Sequence, residues 1–412
     1  MGKPLSDMHY PPDQSAYRGN DIPTNTLRGR DMLCFGHDFS GDPLSKTHIM
    51  RILARDNRIL WINSIGYRAP TASKSDFSRA INKLRMATEP VREVERNIFV
   101  LNPLAIPVYG MPWVRIANRH LLRFQVLRAM RRLGFVKPIN WIFTPSAGVV
   151  AGALGEEMLI YYCVDEFTAF TDLPPQMVQL EDDLCRRADL LIVSAQRLYD
   201  SKVVKNPRTV LVRHGVDFAH FRKALDPGTE VPAEIAHLPR PILGYFGLMA
   251  ADWIDIDLLV KVAKHFSSGS LVLLGKVTTD LSRLTGLPNV HLLGRKPFAT
   301  LPSYSKGFDV ALNPFPLSEV TLNANPLKVR EYLAAGLPVV STRIPEVEVL
   351  GQCRIADDPE AFIKEIELAL AEPGPRTARS ETMRQESWEG RVEEVRRHVA
   401  SHKPTSRRSW QS

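Results

Sequence analysis

Short, wholly apolar runs alternate with helix-patterned stretches along most of the chain, and the alternation restarts once. Runs at 32–35, 59–63, 98–101, 141–143, 159–163, 190–194 and 210–213 are expected strands, with helices near 45–55, 112–133, 177–188 and 196–203 between them. A run with no polar alternation suits a strand covered on both faces, as in a parallel sheet. A proline-rich break at 218–240 follows, and then strands are expected at 242–246, 271–274, 291–293, 310–313 and 339–341. Helices near 256–266, 299–305, 326–335 and 358–371 separate these. Repeated strand–helix units with right-handed crossovers give doubly wound sheets. The expected architecture is therefore α/β, with two tandem doubly wound domains at 29–217 and 241–378 and a linker at 218–240. Ligands of such sheets bind beyond the carboxyl ends of the strands, so a cleft between the two domains is the expected site. A last helix at 379–402 is too polar for a core. Its thin stripe of Trp388, Val392, Val395 and Val399 predicts that it lies over a surface and crosses back to the first domain. Residues 1–28 and 403–412 read as a disordered arm and tail.

The stretch with most chemical content is NANPLKVREYLAAGLPVVST at 323–342. It reads as a helix followed by a buried strand, with Asn325 as N-cap, Pro326 at the first helical position and Gly336 just past the end. Helix N-termini carry partial positive charge and favour acids in the first turn. This one has Lys328 there and no acid. Free backbone N–H groups, Lys328 and the amides of Asn323 and Asn325 would suit an anion, and Glu331 lies three residues on, on an adjacent face. A capped helix with a solvated lysine paired to Glu331 is the plainer alternative.

Other polar groups fall at strand ends. LIYYCVDEF at 159–167 is a buried strand running into Asp165 and Glu166; Asp165 is either a cleft-edge group or a turn and capping acid. CFGHDFSGDPLSKTHIM at 34–50 offers His37, Asp38, Lys46 and His48 around two glycines. Glu181, Asp182 and Asp183 read as a solvated helix face. Between Asn97 and Gly155 there is no acid, whereas Arg115, Arg119, Arg123, Arg128, Arg131 and Arg132 cluster with Trp113. Such a helix suits an anionic lipid surface or, alternatively, packs on the sheet with solvated arginines; apolar residues spread around it make it imperfectly amphipathic.

Several function classes are excluded. The net charge of +8 is modest and no basic block is interleaved with aromatics, which argues against nucleic acid. Cys34, Cys163, Cys185 and Cys353 have no CxxC spacing and read as reduced cysteines of a cytosolic protein rather than zinc ligands. No run of about 18 apolar residues suggests a membrane span. Neither a G-x-S-x-G elbow nor a G-x-G-x-x-G after a strand is present, so a serine hydrolase and a dinucleotide oxidoreductase are not supported.

Two tandem Rossmann-like domains with NPLKVREYLAAGLPVVST resemble GT-B glycosyltransferases of the retaining family 4 type (group 1), as found in bacterial polysaccharide and cell-surface synthesis. RHGVDFAHF at 213–221, GYFGLM at 244–249, LVLLGK at 271–276 and NVHLLGRKPFATLPSY at 289–304 are similar to further elements of that family. The resemblance implies an N-terminal acceptor-binding domain, a C-terminal domain for a nucleoside diphosphate sugar, and a C-terminal crossing helix. It implies transfer of the sugar, with retention, to a hydroxyl of a glycan or lipid-linked saccharide, with no cofactor and no metal. The protein would be cytoplasmic, peripheral at the inner face of the plasma membrane. Donor contacts implied are Gly247, Lys276, Arg295, Asn323, Asn325, Pro326, Leu327, Lys328 and Glu331; Asp165, Lys328 and Glu331 would carry catalysis, and His37, Asp38 and Lys46 the acceptor side. Glu331 matches the second acid of the family's E-x7-E motif, while the first falls on Asn323. The loop GLMAADWIDID supplies neither of the family's usual Arg and Lys. These departures leave two other readings open: a GT-B-fold nucleotide-sugar epimerase, or an inactive member that binds carbohydrate or a partner.

Overall fold

The computed structural model describes residues 27–64, 91–106, 111–170 and 174–402. The arm at 1–28, apart from Leu27 and Arg28, and the tail at 403–412 lie outside the described residues. Leu27 belongs to neither solvent nor an arm, being buried against the core of the first sheet.

That first sheet runs in the order β3-β4-β2-β1-β5-β6-β7-β8. Its strands are β1 (Asp31–Phe35), β2 (Arg58–Ile62), β3 (Arg92–Glu95), β4 (Ile98–Leu101), β5 (Ile139–Ile142), β6 (Met158–Cys163), β7 (Leu190–Val193) and β8 (Thr209–Leu211). All pair in parallel except β3, an antiparallel edge strand. The sequence Arg92-Glu-Val-Glu95 gave no apolar signal for it, because an edge strand can be solvated. The second sheet holds β9 (Ile242–Phe246), β10 (Ser270–Leu274), β11 (Val290–Gly294), β12 (Val310–Asn313), β13 (Val339–Thr342) and β14 (Arg354–Ala356), in the order β11-β10-β9-β12-β13-β14 and all parallel. Chain order reverses between β1 and β5 in one sheet and between β9 and β12 in the other. Crevices open at such switch points.

The 218–240 segment is more ordered than an open linker. It forms short helices at Phe218–Phe221 and Ala233–Ala236, and Phe221, Ala224 and Ile235 enter the core of the second sheet. The final stretch is broken into Thr377–Glu381 and Trp388–Ser401, the latter capped by the Ser387 hydroxyl, which accepts from the Gly390 N–H. Trp388, Val392, Val395 and Val399 pack into the first sheet's core against the Ser45–Leu53 helix. Burial of each such side chain contributes about 1.5–3 kcal/mol, so the last helix is a structural part of the first half of the chain.

Candidate functional site

Gly247 follows β9 and Gly275 follows β10, with φ of 145° and 147°. Both lie where an L side chain is strained, and space is also lacking: a Cβ on Gly275 would sit 1.8 Å from the Gly247 carbonyl oxygen, and one on Gly247 2.8 Å from Lys328 Nζ. The glycines thus let the two strand ends close together and let the Lys328 ammonium lie against the loop.

Lys328 enters from the Leu327–Ala334 helix, whose first turn holds no acid. Its ammonium donates to the Tyr245 hydroxyl (2.9 Å) and stands over the rings of Tyr245 and Phe315, 4.3 and 4.6 Å from their centroids. Tyr245 lies in β9 and Phe315 follows β12, so Lys328 sits at the switch point of the second sheet. Burial lowers its pKa to about 7, opposed by the nearby Glu331. Glu331 is half-buried, and among the described residues its carboxylate has no hydrogen bond or ion pair. Burial raises its pKa to about 8, Lys328 opposes this, and Asp217 adds to it. The site therefore holds a lysine that is readily neutral and an acid that is readily protonated, with no paired charge on either.

The opposite face of the same helix is tied down. Asn325 is not the N-cap; Pro326 is, and no side chain caps the helix. Asn325 turns away instead. Its amide donates to the Ser194 carbonyl in the first half of the chain (2.7 Å), its Oδ1 accepts from Arg330, and its carbonyl bonds the His214 ring (2.8 Å). Leu327 packs on the core of the first sheet. Glu346 adds to this junction, accepting from the Gln196 N–H (2.7 Å) and from Arg213 (2.7 Å).

Two of the expected donor contacts, Arg295 and Asn323, have their side chains engaged elsewhere. Arg295 is not free for phosphate; it forms a two-pronged, solvent-exposed pair with Asp42 of the first half (2.7 and 2.9 Å). Asn323 donates to the Glu319 carbonyl (2.7 Å) at the end of the Glu319–Leu322 helix. Lys276 is exposed and contributes its carbonyl, which accepts from the Met249 N–H (2.9 Å).

On the first sheet the Ser45–Leu53 helix brings Lys46 towards Asp165, just past β6. Burial raises the Asp165 pKa and lowers that of Lys46, and each charge opposes the shift of the other. His37 Nε2 lies 3.2 Å from the Asp42 carbonyl, and its own carbonyl accepts from the Trp61 indole (2.9 Å). Burial and then Lys46 lower its pKa to about 4, so the ring is neutral at physiological pH. Asp38 is exposed in the same loop, its carbonyl accepting from the Gly41 N–H (2.9 Å).

An aromatic series spans the gap between the two walls. Phe167 meets Phe170 (6.2 Å between centroids), Phe170 meets Trp253 (6.3 Å), and Trp253 meets Phe315 (5.4 Å), which faces Lys328. Trp253 thus fills the loop after β9, where the sequence supplies no basic residue. Tyr245, Phe315, Trp253 and Asp217 were not foreseen as site groups. The tyrosine and phenylalanine look like ordinary core residues, and only their convergence on Lys328 gives them a role.

Glu181 corrects a further expectation. It is 1% exposed and receives Lys202 Nζ (3.1 Å) and the Tyr161 hydroxyl (3.2 Å), and the same ammonium reaches Glu166 (3.0 Å). The buried stripe Met177, Leu180, Glu181, Leu184, Cys185 of its helix has the spacing of one face, so position 181 was readable as inward. This network anchors the chain beside Asp165. Asp182 does pair at the surface, with Arg186 and Lys205.

Residues 240–372 match the family model "Glycosyl transferases group 1". The chain is 22% identical over 290 residues to a teichuronic acid biosynthesis glycosyltransferase, TuaH, of Bacillus subtilis, covering 64% of this chain and 72% of that protein. Among solved structures, it resembles a sucrose-phosphate synthase from Thermosynechococcus elongatus (TM-score 0.61, 15% identity, 90% of this chain and 96% of that one). It also resembles a UDP-forming alpha,alpha-trehalose-phosphate synthase from Burkholderia xenovorans in complex with glucose-6-phosphate (0.64, 13%, 90% and 100%). A third is an Escherichia coli trehalose-6-phosphate protein bound with UDP-2-fluoro glucose (0.62, 13%, 90% and 99%).

Proposed function

Because this chain is a glycosyltransferase of GT-B fold, with a group 1 domain at residues 240–372, we propose that it moves a sugar from a nucleoside diphosphate sugar to a hydroxyl of a glycan or lipid-linked saccharide, with retention, in cell-surface polysaccharide synthesis. One observation carries the donor side: Lys328, its pKa lowered to about 7, stands unpaired at the switch point against Gly247, beside the uncapped start of its helix. A diphosphate there would hold Lys328 in its charged form and receive the free N–H groups of the first turn. As the bond to the sugar breaks, negative charge grows on the departing phosphate, and a lysine already stripped of water stabilises it strongly. Glu331, protonated near neutral pH, can both donate to and accept from a ribose hydroxyl. Asp165, Lys46 and neutral His37 form the acceptor wall, with Asp165 nearest the sugar. The scheme uses no metal or cofactor. The pair between Arg295 and Asp42 and the aromatic series from Phe167 to Phe315 hold the two walls facing each other, which excludes water from the transfer.

The teichuronic acid relative supports a cell-surface polymer as the setting, and the UDP named for two structural neighbours makes UDP the first donor base to test. Calorimetric titration with UDP, GDP, ADP and dTDP, alongside Lys328→Ala and Glu331→Ala, tests the reading. Micromolar binding of one nucleotide, lost in both variants, is expected. Absence of binding by all four would overturn the donor site.

A further inference from the structure

The Pro112–Leu133 helix packs on the first sheet through Val114, Asn118, Leu122, Val126, Ala129 and Met130, all buried. Asn118 and Gln125 hold it there by bonds to the backbone of Ile106 and Leu104 (2.7–2.9 Å). The inward face is thus complete. Yet the outward face is also apolar at its centre: Trp113, Ile116 and Phe124 are 61%, 57% and 61% exposed. Positions 113, 116, 120 and 124 follow the three- and four-residue steps of one helix face. This resolves the imperfect amphipathicity read from sequence, since the helix carries two opposed apolar stripes rather than one blurred stripe.

The outer stripe is flanked by arginines on both sides. Arg119 and Arg123 lie on one side of the stripe and Arg128 on the other, Arg131 lies in line with it at its far end, and Arg115 and Arg132 are exposed towards the two helix ends. Of these six, only Arg123 has a side-chain partner among the described residues, the Ala153 carbonyl (2.8 Å). No acid occurs from Asn97 to Gly155 to neutralise them. An apolar, aromatic-containing line with unpaired guanidinium groups on either side is complementary to a surface that is negative at its top and apolar just beneath. A soluble acidic partner would match the arginines but leave Trp113, Ile116 and Phe124 unexplained. No described helix is long and apolar enough to cross a membrane, so the contact is with a surface.

We propose that the outer face of the Pro112–Leu133 helix docks this protein on an anionic lipid bilayer, with Trp113, Ile116 and Phe124 entering the headgroup–acyl boundary and the flanking arginines bound to lipid phosphates. The helix starts beyond the carboxyl end of β4, the edge of the sheet that also carries His37, Lys46 and Asp165. Docking therefore brings the acceptor wall to the level of the headgroups and deepens the proposed function by favouring a lipid-linked acceptor. Its support is independent of the donor reading, because vesicle binding is measured without nucleotide.

The test is co-sedimentation of the full chain with vesicles of phosphatidylcholine alone and of phosphatidylcholine mixed with phosphatidylglycerol, at low and high salt. Binding to the mixed vesicles only is expected, weakened by salt, with at least a tenfold loss of partitioning in Trp113→Ser/Ile116→Ser/Phe124→Ser. A comparable loss is expected in Arg119→Glu/Arg128→Glu/Arg132→Glu. The substituted residues are exposed, so unchanged thermal unfolding is expected and verifies folding. Quenching of tryptophan fluorescence by brominated lipid, lost in Trp113→Phe, reports insertion directly. Undiminished binding by both variants, or no binding to mixed vesicles by the folded wild-type chain, would overturn the proposal. So would a concentration-dependent dimer abolished by the apolar variant, which would make the face a contact between copies.

Discussion

The two faces of the Leu327–Ala334 helix are built to opposite rules. On one side, Asn325 and Arg330 are buried; Asn325 donates to the Ser194 carbonyl in the first half of the chain and accepts from Arg330. Towards the cleft, Lys328 and Glu331 are half-buried charges with no opposite charge in contact. Protein interiors strongly disfavour that second arrangement unless something else completes it. One turn of helix thus separates an amide bonded across the two halves of the chain from charged groups with no opposite charge in contact.

Variants on the two faces should fail in different ways. Lys328→Ala is expected to cause the largest effect, a fall in kcat of about 10²–10³-fold, the scale for removing one donor to a developing anion. Its unfolding midpoint in denaturant should hold or rise, since a desolvated charge is removed. Asn325→Ala should do the reverse: it leaves the Ser194 carbonyl and Arg330 short of a partner, costing about 1–3 kcal/mol of stability by chemical denaturation. Nucleotide affinity in the folded fraction should change little; a loss as large as that in Lys328→Ala would erase the distinction between the faces.

A pH series sharpens the same contrast. The Glu331 pKa is raised from 4.5 to about 8, so its contribution to stability is present below pH 4.5 and is lost as pH rises through about 8. Lys328 is lowered from 10.5 to about 7, so between those values the unfolded chain holds more protons and stability recovers as pH rises. Glu331→Gln should flatten the first slope and leave the second, as read by unfolding midpoints across pH. The smallest effect is expected at the cleft mouth. Arg295→Ala breaks an exposed pair worth ~0–1 kcal/mol and should leave nucleotide affinity intact. A collapse of affinity would instead return Arg295 to the donor site.

Much of the frame was legible because parallel strands announce themselves as unbroken apolar runs, as Leu190–Val193 and Leu271–Leu274 do. The polar edge strand Arg92–Glu95 and the short Arg354–Ala356 strand carry no such signal and were missed. At the site, Lys328 stands out by breaking the charge rule for a helix start, and Glu331 by its place three residues on. Their surroundings did not, because Tyr245 is 83 residues away in sequence and becomes a neighbour only through the order of the strands. Asn325 illustrates a subtler limit. Its type suits an N-cap, but the oxygen that would cap accepts from Arg330, and its NH2 is drawn to the Ser194 carbonyl from another part of the chain.

The Trp388–Ser401 helix carries an implication for synthesis on the ribosome. Its four apolar residues close the core that also holds Leu27, Ile49 and Leu53, which precede the whole second sheet in chain order. Chains emerge from their amino end, and the earlier half ordinarily folds first. Here the first sheet waits, with one apolar flank uncovered, until the strands of the second sheet have been made. The part translated first is the part completed last.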